Sequence, residues 1–546
     1  MPFPGDTSPR DVKEYSVNAT TTARGGRDSR TATIVMACVG VFVAYLPVTT
    51  VSVSLPTIQR SLDASTADLS WVTDAFVLPM AALILTAGVV GDVYGRRKVF
   101  QAGLAFCAIG AAIALSADGF GSVEVLWTGQ AFAGIGAAAL LPATLGLISH
   151  AVPNPRERSK YVSMWTASLM GALAVGPMIS GLILENASWR WIFLAPIPAS
   201  LLTMAAASRY VADSRAAGSR KLDWPGQITA AVAITALVYA VIEGGGESFS
   251  ETRVLVALAL SALALVAFIV TELRSASPML DLKLFRSPAF SATALVAMIS
   301  FLGLIGFIFV LSLYLGQVQQ LGTLDAGYRM LMFTFTAMVA GPIFGQIMHK
   351  VSARILITTG LLLATGSLLS LTSIDATTSF ADLAWRLIIL GIGFGAVFAP
   401  MTATAINSVP QQLAGMAAAG SNAFRQVGAA LGPALMSALL TTKVTDALPG
   451  HLSDAGLSAQ AQHQVTGAVD SAGFGAVHGI DLGADTPRML HAFSQAFIDG
   501  IHLCLVISAA VMLLAAVVSA VLLRRPRPSA PAPAPTPRVE EPALNH

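Results

Sequence analysis

Few side chains in this sequence combine a charge with an apolar setting, and those few are where chemistry would occur. Asp74 lies in Trp71-Val72-Thr73-Asp74-Ala75-Phe76, about one and a half turns inside an apolar run. Hydrocarbon around a carboxylate disfavours its ionised form and lifts its pKa toward neutrality, which suits a group that takes up and releases a proton in each working cycle. Trp71, one turn earlier, shares that face and offers a ring for a substrate to stack on while competing with the proton. The alternative is an interfacial Asp reaching back to solvent. Arg425, with Asn422 one turn away, is the deeply placed basic residue of the second half of the chain. It suits an anionic or carbonyl-rich substrate, or equally its own backbone carbonyls and Asn422. Thr49 and Ser52 share a face of the first span and, with Gln130 placed to hydrogen-bond to them or to substrate, are expected to form a neutral polar stripe; Trp165 adds another ring.

No nucleophile, base and metal set converges anywhere, which excludes an enzyme reading. His451, His463, His478, His491 and His502 gather in the sequence without ligand spacing, so no metal is expected. The chain has no phosphate-binding Gly-Lys-Ser/Thr loop, so neither ATP drive nor any cofactor is expected.

These residues are carried by an unusual composition: 55% apolar and 11% charged, against about 45–50% and about 25% in soluble chains. That excludes a soluble, disordered or disulfide-framed protein. The net charge of +2 leaves no basic excess for nucleic acid. Cys38, Cys107 and Cys504 sit inside apolar runs and read as packing residues. A membrane-crossing helix needs about 20 mostly apolar residues. Fourteen stretches qualify: 32–54, 68–90, 99–117, 123–149, 161–184, 190–208, 225–244, 253–273, 290–316, 326–347, 353–373, 383–407, 417–441 and 497–523. The expectation is an all-α, multi-pass protein of the cell membrane, monomeric, with the lipid bilayer as its surroundings.

The polar segment 1–31 contains no cleavable apolar leader, so the first span doubles as the targeting signal. The Pro/Ala-rich tail 524–546 reads as disordered. With the N-terminus inside, alternate loops and tails collect 24 Lys and Arg on the inner side and 6 on the outer; Arg329 and Arg425 lie within spans. Both termini are therefore expected in the cytoplasm, and the long loop 442–496 outside.

An internal repeat organises the spans. Gly88, Asp92, Gly95 and Arg97 recur as Gly345, His349, Ser352 and Arg354, 257 residues later. Gly134 and Gly136 recur as Gly391 and Gly393 at the same offset, and Gly176-Pro177 recurs as Gly432-Pro433. The offset covers eight spans, so two six-helix bundles, 32–208 and 290–523, flank an inserted helix pair with its linker, 209–273. Parallel repeats place a substrate near the midplane between the halves, the layout of an alternating-access carrier.

At these residues the chain resembles the major facilitator superfamily, and within it the fourteen-span drug/proton antiporters of bacteria. The loop Gly88-Val-Val-Gly-Asp92-Val-Tyr-Gly95-Arg96-Arg97-Lys98 resembles the superfamily's signature between spans 2 and 3. Ala172-Leu-Ala-Val-Gly176-Pro177-Met-Ile-Ser180-Gly181 resembles the antiporter motif of span 5, with Ala172 and Ser180 where glycines are usual. Trp189-Arg-Trp-Ile-Phe193, Leu280-Asp-Leu-Lys-Leu-Phe285 and Arg425-Gln-Val-Gly428 match further family stretches. The resemblance implies a proton-coupled exporter of amphipathic drugs or antibiotics. Asp92 is then expected to latch the halves, through a neighbouring helix N-terminus or through Arg97. Gly176, Pro177 and Gly181 allow close helix approach. Two departures stand out: Pro47 occupies the place of the family's first-span carboxylate, and Gln130 that of its fourth-span arginine. A charge alone at mid-membrane costs about 2.5–3.5 kcal/mol, so losing one partner favours losing the other. The scarcity of buried acids favours neutral or weakly anionic polycyclic cargo over dications. An uncoupled facilitator or importer of a small organic solute, and a receptor that binds without transport, remain open.

Overall fold

Inside a bilayer no water satisfies backbone N–H and C=O groups, so each crossing segment must close its hydrogen bonds internally. The computed structural model accordingly consists of helices among its described residues: 9–523, apart from 63–65, 215–222, 247, 276, 279, 411–412 and 473. The side chains of 9–29 and of Asp74, among others, also fall outside that set, as does the tail 524–546. In chain order the helices are α1 (Pro9–Leu62), α2 (Thr66–Tyr94), α3 (Arg96–Phe120), α4 (Val123–Ala151), α5 (Pro155–Asn186), α6 (Pro196–Tyr210), α7 (Trp224–Gly246) and α8 (Thr252–Arg274). They continue with α9 (Pro288–Leu313), α10 (Thr323–Ile347), α11 (Ala353–Leu371), α12 (Phe380–Asn407), α13 (Ala414–Asp454), α14 (Ala459–Ala472) and α15 (Thr486–Leu522). All except α14 lie in helical stretches long and apolar enough to cross a membrane, α6 together with the 3-10 turn Trp189–Phe193 before it, which gives the fourteen expected spans.

The repeat is physical. In the first bundle α1 packs on α5, α2 on α4, α3 on α4 and α3 on α6; in the second, α9 packs on α13, α10 on α12, α11 on α12 and α11 on α15. Individual contacts obey the same offset. A methyl added at Gly134 would come 2.2 Å from the Phe76 carbonyl oxygen, and one at Gly391 2.5 Å from that of Phe333. Gly136 lies against Gly103 and Cys107, Gly393 against Gly360 and Ala364. Glycine recurs at these places because two backbones cross there with no room for a side chain.

The two seams between the bundles are also related. Gly88 of α2 faces Ala419 of α13, and Gly345 of α10 faces Ser163 of α5. The pair α7–α8 is joined by Ser261 Oγ donating to the Ala233 carbonyl at 2.9 Å. It docks on the first seam, where Ile234 and Val238 pack with Ala81 and Ala430. The outer face of α8, with Leu263, Val266 and Leu273 exposed, is apolar as a lipid-facing surface must be.

The segment expected as a long loop, 442–496, differs. Helix α13 continues to Asp454, α14 follows, and α15 begins at Thr486. At 41 residues, α13 is about 62 Å long, twice a hydrocarbon core of about 30 Å. Val444, Leu448 and Leu452 recur every four residues and bury with Val465, Phe493 and Phe497, continuing the apolar core of the bundles. Polar residues between these positions hide that stripe from a span-length hydropathy reading.

Candidate functional site

The bundles meet in a polar and aromatic cluster sealed from solvent. Arg425 on α13 is 2% exposed. Its Nη1 donates to Asn422 Oδ1 at 3.1 Å and its Nη2 to Thr402 Oγ1 of α12 at 2.8 Å. The guanidinium carbon lies 4.9 Å from the Phe301 ring centre on α9 and 5.6 Å from that of Trp165 on α5. Trp165 is fixed in turn, its Nε1 donating to Thr144 Oγ1 of α4 at 3.0 Å. Next along the chain, Gln426 Nε2 donates to the Tyr45 hydroxyl of α1 at 3.2 Å, beside Met80 of α2. Behind Phe301 an aromatic run continues through Phe398, Phe394 and Phe333.

This cluster supports a buried cation by two ring faces and two neutral acceptors, a desolvated cation–π contact being worth about 2 kcal/mol or more. Arg425 makes no ion pair among the described residues. Its Nε, and Asn422 Nδ2, have no hydrogen-bond partner there either. A buried donor left unpaired costs about 1–3 kcal/mol, so the cluster has unspent capacity for an acceptor.

Of the residues expected to touch substrate, the structure brings together Trp165, Asn422 and Arg425. It separates the others. Gln130 turns into the first bundle, Nε2 donating to the Val72 carbonyl at 3.3 Å, and borders a cavity of about 10 Å³ with Pro47, Phe76 and Cys107. Thr49 is buried against Gly176, while Ser52 is exposed and donates to the Val48 carbonyl at 2.6 Å. The expected Thr49–Ser52–Gln130 stripe is therefore no single surface. Residues three apart on a helix differ by about 60° in direction, enough to send one to a helix contact and the other outward. Trp71 packs with Trp127 and with Tyr239 of the inserted α7, ring centres 6.4 Å apart in both pairs. Asp74 lies on α2, its side chain outside the described residues. Tyr45, Met80, Thr144, Thr402 and Gln426 were missed by sequence reasoning. A signal for Gln426 was its place beside Arg425, since a polar pair inside a span calls for partners.

A second device closes the Asp92 end of the bundles. Arg96 Nη2 donates to Asp92 Oδ1 at 2.9 Å and Arg96 Nη1 to the Gly146 carbonyl at 3.0 Å. A methyl at Gly415, in the first turn of α13, would come 2.8 Å from the Asp92 carboxylate. The carboxylate thus sits at a helix N-terminus, where the macrodipole favours negative charge. The expected pairing with Arg97 is corrected: Arg97 Nη1 donates to the Val211 carbonyl at 3.1 Å. Gly95 turns the chain at φ 114°, a left-handed geometry suited to glycine, and this brings Arg96 rather than Arg97 back under the end of α2. On the other seam Arg158 Nη1 donates to Asn407 Oδ1 at 3.0 Å, again between bundles. The span-5 motif serves two contacts: Gly176 against Thr49 within its bundle, and Pro177 and Gly181 against Gly327 and Leu324 of α10.

The chain is similar in sequence and fold to known proteins. A family model described as Major Facilitator Superfamily matches residues 37–433. The tetracenomycin C resistance and export protein of Streptomyces glaucescens is 29% identical over 93% of this chain and 94% of its own. The methylenomycin A resistance protein of Streptomyces coelicolor is 31% identical over 73% of this chain and 84% of its own. A crystal structure of the human organic anion transporter MFSD10 (TETRAN) matches with a TM-score of 0.59 over 90% of this chain and 99% of that one, at 12% identity, a likeness of fold alone.

Proposed function

Because the chain belongs to the Major Facilitator Superfamily, a multi-pass plasma-membrane transporter rather than an enzyme, we propose that it is a drug efflux transporter working by proton-coupled alternating access. Its cargo is an amphipathic drug or antibiotic, moved from cytoplasm to exterior, with both termini and the Asp92 end cytoplasmic. The relatives named for resistance and export support the direction. The observation that carries the mechanism is the central cluster: Arg425, Trp165 and Asn422 come from both bundles yet are almost wholly buried. A cargo reaches them only when the seams part, at one end or the other. The polar contacts at Asp92 and Arg158 hold one end shut in this conformation.

Asp74 is the proton-carrying residue in this reading, since Pro47 and Gln130 leave no ionisable pair in the first bundle's usual positions. Protonation removes the charge that opposes movement through the apolar core, and a single charge there is costly enough to bias the cycle. Direction is tested by drug accumulation in cells. Expression lowers the steady intracellular level of an exported antibiotic and raises that of an imported one. A rise would overturn the exporter reading in favour of an importer.

A further inference from the structure

Among the described residues, the central cluster offers donors and no spare negative charge. The described polar groups bonded within this cluster, Tyr45, Thr144, Thr402, Asn422 and Gln426, are all neutral, and Arg425 is the one charged side chain among them. Asn422 spends its carbonyl oxygen on Arg425, which fixes the amide orientation and leaves Nδ2 as the free group. Arg425 likewise leaves Nε free. Both unmet groups are buried N–H donors, and what they lack is an acceptor oxygen. A cationic cargo meets like charge at this point, and a neutral hydrocarbon leaves both donors unpaired.

Trp165 and Phe301 add a second constraint. They flank the guanidinium from different bundles, at 5.6 and 4.9 Å. When the bundles separate, Trp165 on α5 and Arg425 on α13 part, and the cation loses one ring face. A planar aromatic ring entering the gap restores that face.

We propose that the central site selects an aromatic anion: a planar ring system carrying an ionised acidic group, its oxygen on Arg425 Nε and Asn422 Nδ2, its ring between Trp165 and Phe301. This rests on the exporter reading and narrows its cargo. Arg425 is the specificity-determining residue, and the charge it supplies matters more than its shape for anion selection.

The test uses two probes with one ring skeleton, the anion 8-anilinonaphthalene-1-sulfonate and neutral N-phenyl-1-naphthylamine. Initial uptake into energised everted vesicles, corrected for vesicles lacking the protein, gives an anion-to-neutral rate ratio. The wild type is expected to favour the anion by roughly tenfold or more, the scale of one charge-assisted hydrogen bond. Arg425→Gln brings the ratio to about one whatever the absolute rates, while Arg425→Lys retains most of the preference because it keeps the charge. A wild-type ratio near one, or a preference that survives in Arg425→Gln, overturns the proposal. Should neither dye move while an antibiotic still does, the anion proposal fails and the exporter reading stands. Should no compound move at all, the exporter reading fails and takes the proposal with it.

Discussion

Gly88 on α2 and Ala419 on α13 meet across a seam between the bundles, and a methyl at Gly88 would lie 2.6 Å from the Ala419 methyl. Carbon atoms in contact prefer about 3.5–4.0 Å, so Gly88→Ala must push the helices apart by about 1 Å at that point. Overpacking of this kind costs about 1–3 kcal/mol in the closed seam and nothing once the seam has opened. The substitution should therefore shift the closed-to-open equilibrium about 5- to 150-fold toward open. The assay is a spin-label distance across the Asp92 end, with labelled cysteines replacing Tyr94 and Pro410, both exposed and in opposite bundles. The expected result is growth of a longer-distance population in Gly88→Ala. The compensating double change Gly88→Ala with Ala419→Gly, which removes the facing methyl, should restore the original distribution. An unchanged distribution in the single variant, or no reversal in the double one, would refute the seam as the moving part.

Further outcomes follow from the same geometry. Asp92→Asn removes one partner of a buried ion pair and the negative charge at the α13 N-terminus, a loss of about 3–5 kcal/mol for a buried pair. Transport should fall at least about tenfold, with the Asp92 end more open in the same spin-label assay. Gly134→Ala and Gly391→Ala force a methyl onto corresponding backbone carbonyls, of Phe76 and Phe333. Each should destabilise by about 1–3 kcal/mol, so their melting temperatures should fall by similar amounts; a loss in only one would count against equivalent crossings. Phe497, fully buried with Phe474 edge-on at 5.3 Å, anchors the helical extension beyond α13. Phe497→Ala should cost about 3–5 kcal/mol and quicken proteolysis between 442 and 496, whereas a loose loop there would show neither effect.

The spans were legible because a bilayer demands one thing of sequence, an apolar run of fixed length, and fourteen stretches supply it, α6 with the turn Trp189–Phe193 before it. The repeat was legible because glycine marks a backbone crossing that no other residue fits, so Gly134 and Gly391 carried three-dimensional information at a fixed offset. Facing was not legible. A span that is apolar on every side has no stripe to show which way Gln130 or Ser52 points, whereas a helix at a water boundary does. Only packing sends Gln130 to the Val72 carbonyl and Arg425 to Trp165 and Phe301. The Gln426–Tyr45 bond joins residues 381 apart in the chain, and no local pattern encodes such a pair. The extension 442–496 escaped for the converse reason, its apolar stripe being diluted by the polar faces of helices that project beyond the span.

The proposed coupling of drug export to proton movement through Asp74 is tested most directly by following proton release from acid-loaded everted vesicles as antibiotics are added, wild type beside Asp74→Asn. Drug-triggered release is expected in the wild type and none in the variant. Release that persists in Asp74→Asn would contradict Asp74 as the carrier. Drug movement with no proton release in the wild type would contradict coupling itself and leave a facilitator.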